Sequence, residues 1–211
     1  MSFTDMQLDE LRSRVCVTLG QKRFSHTLGV EQAAIRLGLY LCPEDVSELR
    51  CAAILHDVTK ELSPEEQSAI LSSAGITDPD DLTCVSVHHS LTAPYVIKRE
   101  FPQYATERVL SAVYKHTTGD SAMSVFDMII FIADYIEDGR TYSACVDARD
   151  RLYGALDKAE CTEDMEAALL SAVLTSLENT VESLTNRRMP IHRRTLLAAE
   201  GVRRRMSSGS C

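Results

Sequence analysis

The 211-residue sequence lacks the segments that direct a chain to or through a membrane. No apolar run is long enough to cross a bilayer, and the acidic start MSFTDMQLDEL has neither the basic end nor the apolar centre of a signal peptide. We therefore expect a cytoplasmic protein without a membrane partner. The seven cysteines are scattered and form no Cys-x-x-Cys pair, which predicts reduced thiols packed as small apolar residues.

Basic charge is also in short supply, because 31 acidic residues outnumber 22 basic ones and leave a net charge of −9. Such a chain lacks the positive field that binds a nucleic-acid backbone, so no nucleic-acid partner is expected. The exception is a group of arginines between residues 187 and 205, for which a solvated basic tail is a simpler interpretation than a phosphate-binding cluster. The sequence leaves open whether two copies form a homodimer.

Strand-like alternation is missing as well, and apolar residues recur at steps of three and four, as on one face of a helix. Capping boxes are predicted at Thr4, Ser63 and Ser124. We predict an all-α fold: one compact helical domain over residues 1–211, with a core at about 20–140 and C-terminal helices at 144–205. The predicted helices cover 4–20, 25–41, 43–60, 63–75, 80–88, 90–100, 104–118, 124–138, 144–158 and 163–187, and a short one follows Pro190.

Polar residues interrupt the apolar face of the helix predicted over 43–60. At about 100° per residue, His56, Asp57 and Lys60 fall on the same arc as Val46 and Leu49. Burying such groups destabilises the folded state by roughly 2–7 kcal/mol each unless they have hydrogen-bond or charged partners. Because the three lie within one helical turn, we expect them to share a site.

The helix predicted over 124–138 shows the same anomaly with acidic residues. Its apolar arc contains Phe126 and Ile130, yet Glu137 lies between them in projection and Asp134 lies at the edge. Lysine or arginine could neutralise two inward-facing acids. Together with an inward-facing His-Asp pair, however, these acids favour a metal ion.

The number of candidate ligands bears on how many ions such a site holds. Four residues would supply one ion: His26, His56, Asp57 and Asp134. If His89 and His116 also converge, the ligands exceed what one ion with open positions needs, and Asp57 is the natural bridge between two ions. Any single histidine is more simply a hydrogen-bonded core residue, but four of them with two inward aspartates favour metal. Imidazole and carboxylate without thiolate suit iron or manganese, and zinc somewhat less.

The order His … His-Asp … His … His … Asp resembles that of the HD superfamily of metal-dependent phosphohydrolases. Within that superfamily the chain is most similar to the YqeK type, the symmetrical bis(5'-nucleosyl)-tetraphosphatases of bacteria. The resemblance covers about residues 20–140, and its most specific part is His-Thr-Thr-Gly followed by Ala-Asp-Tyr-Ile-Glu. The matching segments are RFSHTLGVEQAAIRL, AAILHDVTK, HHSLTAPYVIKREFP, AVYKHTTG and MSVFDMIIFIADYIEDGR.

The resemblance implies an HD-domain bundle with two metal ions, iron before manganese or zinc, and Asp57 as their bridge. The ligands that it implies are His26, His56, Asp57, His89, His116 and Asp134. Asp57 and Lys60 would be catalytic, and Lys60 would face a substrate phosphate. Glu137 and Arg140 match a Glu … Arg pair that supports a ligand or binds phosphate, and Thr117 either binds phosphate or caps its helix.

The sequence departs from the family pattern at three places, one of which is Ala93-Pro94 where the third-histidine motif usually ends in Gly-Ala. Asp138-Gly139 replaces a proline after the glutamate, so the turn that carries Arg140 is expected to differ in shape. His88 directly precedes His89, and alignment through KRE at residues 98–100 favours His89 as the ligand.

By this resemblance, the chain is expected to hydrolyse diadenosine tetraphosphate into two ADP molecules with a hydroxide held between the two ions. Three other functions stay open: hydrolysis of nucleoside monophosphates or guanosine alarmones, nucleotide sensing without catalysis, and di-iron oxygenase chemistry. The presence of Asp57 favours catalysis over sensing, and Lys60 favours a phosphate substrate.

Overall fold

The computed structural model describes residues 2–208, which form eleven α-helices and contain no β-strand. The helices are α1 Asp5–Cys16, α2 Gln21–Leu41, α3 Val46–Leu55, α4 Pro64–Ser73, α5 Pro79–Thr83, α6 His88–Glu100, α7 Glu107–Lys115, α8 Val125–Ile136, α9 Ser143–Leu156, α10 Thr162–Asn186 and α11 Arg193–Ser208. Short 3₁₀ segments cover 43–45, 85–87 and 102–104. The all-α prediction is confirmed. No helix of this part of the chain is both long and apolar enough to span a bilayer.

The predicted helix starts at Thr4, Ser63 and Ser124 are confirmed in detail. Each of these hydroxyls accepts a hydrogen bond from the backbone N–H three residues later, and the side chain at that later position accepts one from the cap's own N–H. Two amide donors that the helix leaves free are satisfied in this way at each start.

The interior of the fold is centred on α8, which packs against α2, α7 and α10. Nearly every residue of α8 is buried, and α2 packs along α3 on the other side. The main apolar core takes in residues from Phe3 in the N-terminal segment to Val202 in α11. Packing in this core fixes the positions of α2 and α8, the helices that carry His26 and Asp134.

Two predicted helices end earlier than expected, each at a histidine. The prediction that one helix runs from 43 to Lys60 is wrong, because α3 ends at Leu55 and turns follow. The Nδ1–H of His56 donates to the Ala53 carbonyl at 2.7 Å, and this carbonyl would otherwise accept the next helical hydrogen bond. His116 at the end of α7 does the same with the Val113 carbonyl at 2.6 Å.

Other boundaries differ in smaller ways. α2 begins four residues before the predicted start, the segment predicted as helix over 80–88 is divided between α5 and a 3₁₀ turn, and the last helix is 16 residues long rather than short. Six cysteines of the described chain are free thiols, of which Cys16 and Cys161 are exposed rather than packed as predicted. Cys211 and the rest of the tail after Ser208 lie outside the described residues.

Candidate metal centre

The six candidate ligands come from five parts of the fold: α2, the turn after α3, the first turn of α6, the end of α7, and α8. In that order they are His26, His56 with Asp57, His89, His116 and Asp134. Each has a side-chain nitrogen or oxygen within 4.0 Å of another member of the set. The structure thus brings together every residue that the sequence predicts as a ligand.

Asp57 lies at the centre of this cluster, and its two oxygens face different imidazoles. Oδ2 is 3.5 Å from Nε2 of His56 and 3.9 Å from Nε2 of His26. Oδ1 is 3.4 Å from Nε2 of His89 and 3.6 Å from Nε2 of His116. One carboxylate is therefore placed to serve two pairs of nitrogen donors.

The backbone orients two of these imidazoles. Because a carbonyl oxygen only accepts, the bonds from His56 and His116 to the carbonyls of Ala53 and Val113 place the ring hydrogen on Nδ1. Each Nε2 then keeps a lone pair and points towards Asp57. Fixing one ring nitrogen so that the other is free to bind is the usual arrangement of histidine ligands in metal sites.

Glu137 orients a third imidazole. Its Oε1 lies 3.1 Å from Nδ1 of His26, and its Oε2 accepts the Gly139 N–H at 2.6 Å. The other nitrogen of His26, Nε2, then lies 3.0 Å from Oδ1 of Asp134. A side chain at Gly29 would collide with the Glu137 carboxylate, so the close approach of α2 to this turn depends on that glycine.

The unpaired nitrogens show that these residues fit a metal ion. Nε2 of His56 and Nε2 of His26 are buried and receive no hydrogen bond within residues 2–208, because the Asp134 oxygen that faces Nε2 of His26 is itself an acceptor. A buried polar atom without a partner is costly, and a cation beside these lone pairs would remove that cost. Two groups have ligand atoms within 4.8 Å of one another: His26, His56 and Asp134, and His56, Asp57 and His116. Imidazole and carboxylate donors of this kind suit several divalent first-row metals.

The two aspartates of the cluster are ionised. Burial raises the pKa of Asp57, but the imidazoles of His56 and His116 outweigh it and hold this pKa well below its usual value. Burial likewise opposes ionisation of Asp134, and the contact with His26 is the largest effect that lowers its pKa. Two adjacent anions, one buried and one partly buried, require compensating positive charge.

Lys60 and Thr117 lie against the second imidazole pair. Nζ of Lys60 is 3.1 Å from Nε2 and 3.2 Å from Nδ1 of His89, and Oγ1 of Thr117 is 2.9 Å from Nε2 of the same ring. Burial and the charge of Lys60 hold the pKa of His89 well below its usual value, so this imidazole is neutral and able to bind a cation. Burial also lowers the pKa of Lys60 itself.

His88 is buried beside His89 but shares none of these contacts. It is the Nε2 of His89, not of His88, that lies 3.2 Å from His116 and 3.4 Å from Asp57. Nε2 of His88 has no hydrogen-bond partner among the described residues. The geometry agrees with the sequence preference for His89.

Three arginines complete the surroundings, and only one of them was expected from the sequence. Arg140, predicted to bind substrate, has Nη2 2.6 Å from Oδ1 of Asp134. Arg23 has Nη1 2.9 Å from Oδ2 of Asp57, and Arg149 donates to backbone carbonyls of the turn after α8. Arg23 precedes His26 by three residues, so helical spacing alone places it on the same face of α2 and could have identified it.

A cavity of about 900 Å³ opens beside the cluster, between the start of α2 and the turn after α8. Its lining includes Arg23, His26, Glu137, Arg140 and Tyr142. A volume of this size is in the range that holds a nucleotide-sized ligand. Because His26 is part of the lining, the cavity opens to solvent on the side of the cluster that His26 occupies.

Comparison with known proteins places these residues in a wider group. The sequence model of the HD domain matches residues 23–139 of the chain. Three relatives have the name bis(5'-nucleosyl)-tetraphosphatase, symmetrical. The Halalkalibacterium halodurans protein is 33% identical over 84% of this chain and 87% of its own length. The Staphylococcus aureus protein is 30% identical over 85% and 93%, and the Bacillus subtilis protein is 27% identical over 91% and 95%.

The fold is also similar to a solved structure. A crystal structure from Clostridium acetobutylicum, described as that of a predicted HD superfamily hydrolase involved in NAD metabolism, superposes with a TM-score of 0.80 at 29% sequence identity. The superposition covers 97% of this chain and all of that one. The similarity therefore extends beyond the matched domain to the C-terminal helices.

Proposed function

The chain belongs to the HD domain family, and from this premise we propose that it hydrolyses diadenosine tetraphosphate symmetrically into two ADP molecules. The chain is a hydrolase that acts on phosphoric anhydrides, in keeping with relatives named symmetrical bis(5'-nucleosyl)-tetraphosphatase. The proposed reaction consumes one water molecule and breaks the P–O bond between the two central phosphates. The water oxygen bonds to one of these phosphorus atoms, and the bridging oxygen leaves with the other ADP.

One observation carries the proposal: the Asp57 carboxylate presents one oxygen to each of two imidazole pairs. A centre for a single ion would not need both pairs. We infer that two ions bind, that iron is the preferred metal, and that Asp57 bridges them. His26, His56 and Asp134 would hold one ion, and His89 and His116 the other.

Bound cations at such a centre supply a nucleophile at neutral pH by lowering the pKa of water, and they offset the charge that develops on the phosphates. The side chains of this chain do the rest. Lys60, beside His89, would donate hydrogen bonds to the phosphate oxygens from one side, and Arg140 would do so from the cavity. Thr117 would add a hydroxyl donor next to Lys60, and Glu137 would keep His26 in its binding orientation.

Replacing Asp57 by alanine tests the centre. Asp57→Ala should abolish the release of ADP from diadenosine tetraphosphate and remove most bound metal, while circular dichroism keeps the helical signal. Asp147→Ala, which removes an exposed carboxylate on α9, is the matched control and should keep both metal and turnover. Turnover in Asp57→Ala at the wild-type rate would contradict the proposal.

The products distinguish this function from its alternatives. Two ADP molecules for each diadenosine tetraphosphate support symmetrical cleavage, and AMP with ATP would contradict it. Release of phosphate from nucleoside monophosphates, or turnover of guanosine alarmones in its place, would assign the site to a different phosphohydrolase. Metal-loaded wild type that binds nucleotide without any turnover would identify a sensor.

A further inference from the structure

Arg23 forms an ion pair with the residue on which the centre depends. Nη1 of Arg23 is 2.9 Å from Oδ2 of Asp57, which is buried, while the arginine lines the cavity and remains partly exposed. The guanidinium therefore stands between solvent and the central carboxylate. In the absence of metal it supplies positive charge that the buried anion requires.

The oxygen that Arg23 contacts is the one that faces His26 and His56. Those two histidines and Asp134 form one of the groups with metal-binding spacing. A cation held there would need Oδ2 of Asp57 and would repel a guanidinium at 2.9 Å in a site of low dielectric. Metal and Arg23 are therefore competitors for the same oxygen.

The acidic side chains that share the cavity already have partners. Glu61 accepts the Gly20 N–H, and Glu137 accepts hydrogen bonds from Gly139 and His26. Asp138 is paired with Arg149 at 3.4 Å. A guanidinium displaced from Asp57 would thus need an anion that enters the cavity from outside. Phosphate suits it best, because the guanidinium fork matches two phosphate oxygens.

We propose that Arg23 is a substrate-binding residue that exchanges Asp57 for a phosphate of the dinucleoside tetraphosphate when the centre is loaded with metal. The inference rests on the proposed function. It places the phosphate chain of the substrate in the cavity, on the side of the cluster that contains His26.

The test compares Arg23→Gln and Arg23→Lys with Arg151→Gln, a control that removes an exposed arginine on α9. With diadenosine tetraphosphate and the Mn²⁺-loaded proteins, Arg23→Gln should lower kcat/KM roughly 10- to 100-fold, as for the loss of a hydrogen bond to a charged group. Arg23→Lys should recover part of this loss, and Arg151→Gln should match the wild type.

Titration of the metal-free proteins with Mn²⁺ separates this role from a structural one. Because the competing guanidinium is gone, Arg23→Gln should bind Mn²⁺ at least as tightly as the wild type, and its loaded form should bind inorganic pyrophosphate less tightly. Weaker Mn²⁺ binding that parallels the loss of turnover would overturn the inference, since Arg23 would then only organise the ligands. Unchanged kcat/KM in Arg23→Gln would also overturn it. Wild type without turnover of diadenosine tetraphosphate would contradict the proposed function instead, and the Mn²⁺ and pyrophosphate titrations would still test Arg23.

Discussion

At the scale of single residues, the centre depends on polar side chains that a core would not otherwise contain. Asp134 and Glu137 could be predicted because they interrupt an apolar helical face. The convergence of His89 and His116 with them could not be derived from periodicity, since it depends on how five separate segments pack. Arg23 was missed although its spacing from His26 places it on the same face of α2, because an arginine on a helix is ordinary in sequence until its distance to Asp57 is known.

Gly29 is predicted to be indispensable for the orientation of His26. In Gly29→Ala the new methyl group would displace the Glu137 carboxylate, which accepts from Nδ1 of His26. Loss of a partner that orients a ligand costs about 10- to 100-fold in metal affinity or activity, and we expect a loss of that size. Metal titration and kcat/KM measure it.

Gly154→Ala is the matched control. Gly154 lies within α9, and a methyl group there would meet no heavy atom of the described chain within 4 Å. We expect full metal binding and a gain in stability of about 0.5–1 kcal/mol from the higher helix propensity of alanine. Equal effects of the two substitutions on metal affinity would contradict the role assigned to Gly29.

Substitutions of the adjacent residues His88 and His89 should have different effects on metal content and turnover. His89→Gln removes an imidazole that faces Oδ1 of Asp57, so metal content should fall and turnover should decrease by more than about 100-fold. His88→Gln should retain metal, because His88 shares none of the cluster contacts. Elemental analysis of the two purified variants decides, and loss of metal only in His88→Gln would reverse the assignment.

At the scale of elements, the ends of helices rather than their middles form the centre. The helices predicted from sequence periodicity are longer than α3 and α7, because periodicity indicates which face is apolar and not where the backbone hydrogen bonds end. The ladder of helical hydrogen bonds stops where the ring N–H of His56 or His116 donates to a backbone carbonyl of the preceding turn. The capped starts were predictable, since a hydroxyl followed three residues later by an acid or amide is a local signal.

The turn after α8 is held by one side chain from another helix. Arg149 on α9 donates to the carbonyls of Ile136 at 2.6 Å, Glu137 at 2.5 Å and Arg140 at 3.0 Å. These carbonyls belong to the last turn of a helix and to the loop after it, and the Glu137 carbonyl also accepts the Arg140 N–H at 2.9 Å. Arg149 therefore braces this turn from α9.

Arg149→Met should accordingly loosen the turn that carries Glu137 and Arg140. Three backbone oxygens would each lose the hydrogen bond from Arg149, and we expect a loss in stability of about 1–3 kcal/mol, together with weaker substrate binding. Chemical denaturation and KM report the two effects. Arg151→Met, two residues later and exposed, should change stability by less than about 0.5 kcal/mol. A similar loss in both variants would show that the bracing is unimportant.

At the scale of the whole molecule, one apolar core joins the N-terminal segment to α11. The helices after Asp134 supply no predicted ligand, yet α10 packs against α8 and α9 packs against both. That residues 1–211 form one domain stays a prediction, because a shared core suggests but does not measure cooperativity. Sequence could place these helices but not their packing partners, which depend on contacts far apart along the chain.

We expect a single cooperative unfolding transition, and metal should shift it. A ligand present at about 100 times its dissociation constant stabilises the native state by about 2.7 kcal/mol, so Mn²⁺ should raise the midpoint of thermal unfolding in the wild type. Asp57→Ala should show no such rise. Two separate transitions followed by circular dichroism would contradict the one-domain prediction.

The position of Asp57 between two imidazole pairs has a consequence for how such a protein decays over evolutionary time. A single substitution at residue 57 would remove the carboxylate from both imidazole pairs at once, so no partly active variant would arise on the way. Descendants of this chain should therefore either preserve residue 57 or abandon the chemistry altogether.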